Sequence, residues 1–271
     1  MLKQILAIVN TGVAEEQFLT NAVRLARLHN AGLTVIALSS VSMPNGDFSV
    51  SSPVVREELI AAVEAKGEEI EKRARIEGFE LQTLPQDSAA QLAKIPIEAR
   101  YADLTLLAPI SGYSNPRLRR HLFEALVQSS GRPLLVLPGE WKPTLFERLV
   151  VGWNASWEAS RSLADSLMLA ESGAQVEVVT VDARETLTDH SKHSSVDIIR
   201  YIRRHGFAAQ FHDLPSDGRS DAAALTDFAA AQGADLLVLG AAIHSRMHEL
   251  LLGGVTHDLL GGAKIPILFS R

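Results

Sequence analysis

The residues that could do chemistry are concentrated between Ala234 and Arg271, near the C-terminal end of the chain. An unbroken apolar run, Leu236 to Leu239, ends at Gly240, and a pair of glycines follows at 253–254. Glycine lets a backbone approach a ligand closely, and backbone N–H groups in such a loop can bind phosphate. A second apolar run, Ile265 to Phe269, follows. This order of strand, glycine loop, helix and strand predicts a ligand site at the carboxyl edge of a parallel sheet.

This stretch resembles the C-terminal signature of the universal stress protein family. The family's nucleotide-binding members carry Gly, two residues, Gly, nine residues, Gly, and then Ser or Thr. Gly240 matches the first glycine and Gly253 the third, whereas Ile243 replaces the second and Gly254 stands at the Ser/Thr position. The flanking sequences HSR and ELLLGGVT are also typical of the family. The family binds ATP or AMP, with Mg²⁺ possible. Here the resemblance implies weaker binding, because β-branched Ile243 cannot easily adopt positive φ.

The resemblance implies a pocket in the second half of the chain. Its residues, carried over by position, are Asn154, Val181, Gly240, Gly253, Gly254, Val255 and Thr256. The backbone of 253–256 and the Thr256 hydroxyl would contact phosphate, the Val181 backbone would meet adenine, and Asn154 would contact ribose. Nucleotide-binding members carry Asp where this chain has Asn154. The segment Asn154-Ala155-Ser156 also fits an ordinary helix cap, so both interpretations of Asn154 stay open.

An internal repeat divides the chain. IVNTG near Asn10 parallels GWNAS near Asn154, YADLTLLAP parallels GADLLVLGA, and RPLLVLP parallels IPILFSR. Each half reads β-α-β-α-β-α-β-α-β, which predicts an α/β fold of two tandem doubly wound domains. Each domain would be a five-stranded parallel sheet with helices on both faces. The predicted domains are residues 1–140 and 145–271, and the Pro-Gly segment 138–143 is the predicted linker. The resemblance implies that the fifth strands can pair within one chain, and it leaves a further homodimer open.

The first half departs further from the nucleotide-binding pattern. After Leu107 the chain reads APISGYSNPRLRRHLFEAL, with Pro109 at the start of the loop and no glycine pair before the next helix. We therefore interpret the first domain as degenerate for nucleotide. Its basic residues at 117, 119 and 120 could hold an anion, but the pattern favours a solvated helix start.

Composition limits the classes of function. The 271 residues include no cysteine, which excludes disulfides and thiolate metal sites and fits a reducing cytoplasm. No apolar run is long enough to cross a membrane, and the opening MLKQILAIVNTG reads as a first strand rather than a signal peptide. The net charge of −6 does not favour nucleic acid. The sequence therefore predicts a cytoplasmic protein with a small-molecule ligand, and it leaves protein partners open.

No catalytic constellation is recognisable. The sequence has no Walker A loop and no serine nucleophile elbow. His244 and His248, four residues apart with His257 nearby, could share a zinc ion on a helix, but HSRMHE lacks the glutamate of HExxH, so no metal site is predicted. These features favour a ligand-binding stress-response protein over an efficient enzyme. Two alternatives stay open: an interaction or signalling module that acts as a pseudo-dimer without nucleotide, and a weak metal-assisted hydrolase.

Overall fold

The computed structural model describes residues 2–10, 15–39, 53–85, 92–113, 116–182, 190–241 and 264–271. They form two compact units, Leu2–Arg132 and Pro133–Arg271. These units are defined by contacts within the fold. The domain boundaries predicted at 140 and 145 are defined instead by the sequence repeat, so the units do not test those boundaries. Within the described ranges, no helix is both long and apolar enough to cross a membrane.

The first unit is a parallel sheet in the order β3-β2-β1-β4. Its strands are β1 (Gln4–Asn10), β2 (Gly32–Ser39), β3 (Glu80–Pro85) and β4 (Leu104–Leu107). Its helices are α1 (Glu15–His29), α2 (Pro53–Glu77), α3 (Ile95–Ala99) and α4 (Pro116–Ser129). Pro96 lies in the first turn of α3, where the N–H that proline lacks would have no helical partner, so the proline does not interrupt the helix.

The second unit is a sheet in the order β5-β10-β9-β6-β7-β8. Its strands are β5 (Leu134–Val136), β6 (Phe146–Gly152), β7 (Ala170–Val181), β8 (Ala208–Leu214), β9 (Leu236–Gly240) and β10 (Ile267–Ser270). Its helices are α5 (Trp157–Ser166), α6 (His190–Arg204) and α7 (Asp221–Ala231). Strands β8-β7-β6-β9-β10 run parallel, as predicted for one domain. β5 pairs antiparallel with β10, which confirms that the fifth strands pair within the chain.

Helices α5 and α7 cover opposite faces of the second sheet. A Cβ added to Gly152 would lie 3.0 Å from a methyl of Leu239 and 3.1 Å from one of Leu225 in α7. A Cβ added to Gly240 would instead lie 2.6 Å from the backbone N of Ala159 in α5. Successive residues of a strand point to opposite faces, so Leu239 faces α7 and position 240 faces α5. The predicted arrangement of helices on both faces is therefore present in this unit.

Helix α5 is shorter than its apolar periodicity predicts. Apolar residues at helical spacing, Ala159, Leu163, Leu167 and Ala170, predict a helix that reaches Ala170, whereas α5 ends at Ser166 and β7 begins at Ala170. The backbone N–H of Phe146 donates to the carbonyl of Leu169 at 3.1 Å, and Ala170 pairs with Phe146. The segment after α5 is thus drawn into the ladder with β6, a non-local contact that helical spacing does not reveal.

A pair of aspartates shows that the repeat extends to hydrogen bonding. Asp103 and Asp235 each precede the fourth strand of their repeat. Each carboxylate accepts two backbone N–H groups at the start of the first strand of that repeat. The donors are Lys3 and Gln4 for Asp103, and Glu147 and Arg148 for Asp235, at 2.7 to 3.0 Å. These bonds fix the starts of neighbouring parallel strands in register.

Replacing Asp235 with Ala should lower the free energy of unfolding of the second unit by about 1–2 kcal/mol, because two N–H donors lose a charged acceptor. Asp235→Asn should lower it by less, since an amide oxygen still accepts. Urea unfolding followed by tryptophan emission measures this unit, because Trp141, Trp153 and Trp157 are the only tryptophans. Glu171→Ala, at an exposed position of the same unit, serves as the control. An equal loss in both Ala variants would refute this role.

Candidate functional site

The predicted pocket residues that the structure describes lie at one edge of the second sheet. Strands β7, β6 and β9 are neighbours and run parallel, so their carboxyl ends meet. Val181 is the last residue of β7, Gly240 is the last of β9, and Asn154 follows the end of β6. Gly253, Gly254, Val255 and Thr256 lie outside the described residues, as do Ile243 and the histidines at 244, 248 and 257.

Gly240 brings a helix terminus to this edge. A Cβ at position 240 would lie 2.6 Å from the N of Ala159 and 2.8 Å from the carbonyl carbon of Glu158, closer than a real Cβ comes. Only glycine therefore allows the first turn of α5 to pack against the end of β9. The first turn of a helix carries N–H groups without helical partners and a positive partial charge. The packing places that turn beside the carboxyl ends of the strands.

Asn154 is exposed and takes part in a local turn. Its Oδ1 accepts a hydrogen bond from the backbone N–H of Ser156 at 3.1 Å, across Ala155 at φ 57°. The Ser156 hydroxyl in turn accepts from the N–H of Ala159 at 3.1 Å and caps α5. The cap interpretation left open by the sequence is therefore present, with Ser156 as the cap and Asn154 in the turn before it. The Asn154 Oδ1 is already used within the chain.

The end of β7 is held to the end of β8. Asp182, which follows Val181, adopts φ 44°, and its backbone N–H donates to the carbonyl of Leu214 at 2.9 Å. Its carboxylate accepts from the N–H of Ser216 at 3.0 Å. The Thr180 hydroxyl lies 3.0 Å from a carboxylate oxygen of Asp213. Asp182 and Asp213 thus hold local structure at the strand ends.

Two buried side chains bond to carbonyl groups at the corresponding edge of the first unit. Arg119 is only 2% exposed, and its Nε donates to the carbonyl of Ala108, just after β4, at 2.8 Å. The buried Tyr113 hydroxyl donates to the carbonyl of Ile8 in β1 at 3.1 Å, and burial raises the pKa of this phenol. The expectation of a solvated helix start is therefore wrong for Arg119, because its guanidinium satisfies a buried carbonyl. The exposed Arg117 and Arg120 fit that expectation.

Sequence reasoning missed the two most deeply buried carboxylates of the second unit. Glu158 in α5 is 2% exposed, and Glu177 in β7 is 1% exposed. Glu177 interrupts the apolar strand pattern from Val176 to Val179, which was a usable signal. Glu158 follows a helix cap, where an acidic residue is ordinary, and gave no such signal. Among the described residues, no group of three or more His, Cys, Asp or Glu could hold a metal ion.

Comparison with known proteins identifies the second unit. Residues 146–271 match the model of the universal stress protein family. A universal stress protein structure from Archaeoglobus fulgidus DSM 4304 is 13% identical, with 98% of this chain and 96% of that chain covered at a TM-score of 0.67. A putative universal stress protein structure from Pseudomonas aeruginosa UCBPP-PA14 is 17% identical, with 99% and 93% covered at a TM-score of 0.59.

At these identities, the likeness to the solved structures shows a shared fold along nearly the whole chain. No curated protein matches the sequence. The family match to the second unit and the full-length likeness together reproduce the tandem arrangement that the sequence repeat predicts. The chain thus carries a universal stress protein domain at residues 146–271, within a tandem universal stress protein fold that extends along its whole length.

Proposed function

We propose that the second unit binds an adenine nucleotide, ATP or AMP with Mg²⁺, or a closely related small ligand. In this proposal the chain is a cytoplasmic stress-response protein that acts through binding rather than through efficient turnover. The observation that carries the proposal is the close approach of α5 to Gly240. That approach places a helix N-terminus at the edge where β6, β7 and β9 end, beside Asn154 and Val181.

Backbone N–H groups at this edge would attract the negatively charged phosphates of a nucleotide. A helix N-terminus attracts phosphate through its N–H groups and partial positive charge. The carboxyl ends of parallel strands form the crevice where α/β folds usually bind nucleotides. The glycines at 253 and 254 would add backbone N–H groups from the following loop, as the family signature implies. Phosphate contacts through backbone would then require no basic side chain.

The proposal includes one ligand per chain. In the first unit, the hydroxyl of Tyr113 and the guanidinium of Arg119 donate to the carbonyls of Ile8 and Ala108, where β1 and β4 end. Both side chains are buried, so a ligand would have to displace them. This arrangement supports a single site, in the second unit.

Calorimetric titration with ATP and Mg²⁺ tests the proposal. We expect saturable binding with a stoichiometry of one. Ile243→Gly should bind more tightly, by about tenfold, because glycine adopts the positive φ that the family signature implies here at roughly 1–2 kcal/mol lower cost than a β-branched residue. Exposed Glu171→Ala is the control and should bind like the wild type. If millimolar ATP binds to neither the wild type nor Ile243→Gly, the nucleotide proposal is wrong, and the interaction-module alternative becomes the working model.

A further inference from the structure

Glu158 has an unusual environment for a carboxylate. It is the second residue of α5, is 2% exposed, and its Oε2 is buried without a hydrogen-bond partner among the described residues. A buried acceptor has lost its hydrogen bonds to water, and without a new donor it carries a free-energy penalty. A ligand that brings a donor to this oxygen would remove the penalty.

The position of Glu158 connects it to the proposed nucleotide site. The carbonyl carbon of Glu158 would lie 2.8 Å from a Cβ at position 240, so its backbone is in contact with the end of β9. Its carboxylate is therefore held within one side-chain length of Gly240. A nucleotide bound at the carboxyl end of β9 would come within reach of this carboxylate.

A second buried polar atom belongs to the ladder partner of Gly240 in the neighbouring strand. Ser270 pairs with Gly240 in the parallel ladder of β10 and β9, so both positions face α5. Ser270 is 2% exposed, and its hydroxyl oxygen also has no hydrogen-bond partner among the described residues. The carboxylate of Glu158 needs a hydrogen-bond donor, and the hydroxyl of Ser270 can donate or accept. A ligand with hydroxyl groups can satisfy both, whereas a simple anion offers the carboxylate no donor.

Asn154 is less suited to this role than its position suggests. Its Oδ1 already accepts from the N–H of Ser156, and its side chain is exposed rather than buried. The amide nitrogen of asparagine can only donate. The Oε2 of Glu158 therefore offers a ribose hydroxyl an acceptor that is not shared with any other donor among the described residues.

We propose that Glu158 Oε2 accepts hydrogen bonds from the ribose hydroxyls of the bound nucleotide and makes the site selective for ribonucleotides. The inference rests on the proposed nucleotide function and deepens it. A carboxylate that accepts from a ribose diol is a general means of recognising the sugar. The ligand class is then a ribonucleoside phosphate, with discrimination set by a residue of α5, which is separated from β9 in the chain by β7, α6, β8 and α7.

The test is titration of three proteins with ATP and with 2′,3′-dideoxy-ATP, both with Mg²⁺. The wild type should bind ATP about tenfold more tightly, as expected for hydrogen bonds to a charged acceptor. Glu158→Met, which keeps length and removes the acceptor, should bind both ligands within about twofold of each other. Exposed Glu171→Met is the matched control and should keep the wild-type ratio. Tryptophan-monitored urea unfolding checks that each variant is folded.

The outcomes separate the two proposals. If ATP binds but the wild type does not discriminate between the ligands, the role of Glu158 is refuted and the nucleotide function stands. Discrimination that survives in Glu158→Met refutes the inference in the same way. If neither ligand binds to the folded wild type, the nucleotide function and this inference are both wrong. Should Glu158→Met fail to fold, Glu158→Gln replaces it and is expected to lose part of the discrimination.

Discussion

Gly240→Ala is expected to lower the free energy of unfolding of the second unit by about 2–3 kcal/mol and to weaken nucleotide binding at least about tenfold. The added methyl would lie 2.6 Å from the N of Ala159, 2.8 Å from the carbonyl carbon of Glu158 and 3.0 Å from the Cα of Ala159. All of these are backbone atoms, so the overlap can be relieved only by moving the first turn of α5 away from β9. The same movement displaces the helix N-terminus from the proposed phosphate site.

Urea unfolding and ATP titration measure the two effects of Gly240→Ala. Gly139→Ala in the same unit is the matched control, because no atom lies within 4 Å of its added Cβ and its φ is not positive. The control should change stability by less than about 0.5 kcal/mol and leave binding intact. If Gly240→Ala is as stable as this control, α5 is not held by the close approach. If it is destabilised but binds ATP normally, the helix N-terminus is not part of the site.

His212→Ala is expected to destabilise the second unit by about 2–3 kcal/mol, because it leaves a buried carboxylate with one donor fewer. Glu177 is 1% exposed, and its Oε2 lies 2.7 Å from the Nε2 of His212. Its Oε1 accepts from the Nε2 of Gln175 at 2.5 Å. The imidazole also packs against Phe228 of α7, with ring centroids 4.8 Å apart. The effect is smaller than for a fully buried pair because 27% of the His212 side chain is exposed.

A double-mutant cycle isolates the pair. Glu177→Met removes the buried charge at similar side-chain length, so His212→Ala should be destabilising by less than about 1 kcal/mol in that background. Urea unfolding of the wild type, the two single variants and the double variant supplies the four free energies. If the two single effects add within about 0.5 kcal/mol, His212 stabilises the unit by packing alone, and the hydrogen bond to Glu177 contributes nothing.

The sequence predicts the sheet well because its strands are short apolar runs that end at glycine or polar residues. The apolar run from Leu236 to Leu239 forms most of β9. The run from Val176 to Val181 forms the later part of β7. The repeat then fixes the order of elements, and parallel α/β units with right-handed crossovers leave few arrangements. Gly240 belongs to this predictable part, since a glycine at the end of a buried strand already indicates close packing.

The remaining features depend on contacts between distant positions. The basic run at 117–120 favours solvent for Arg119, because the sequence does not show that its guanidinium meets the carbonyl of Ala108. The partner of Glu177 is 35 residues away in the sequence, at His212. Glu158 is an ordinary acidic residue in a first helical turn until Gly240 brings that turn against β9. A single sequence gives residue types and local periodicity, whereas these roles come from packing.

The most direct test of the central claim is native mass spectrometry of the intact chain, first as purified and then with added ATP and Mg²⁺. The account predicts a mass increase of one nucleotide per chain that is reduced in Gly240→Ala and retained in Gly139→Ala. No retained nucleotide at any ATP concentration would contradict the claim, because the Gly240 packing would then serve architecture alone. Two nucleotides per chain would contradict it as well, since Tyr113 and Arg119 could not then close the first unit.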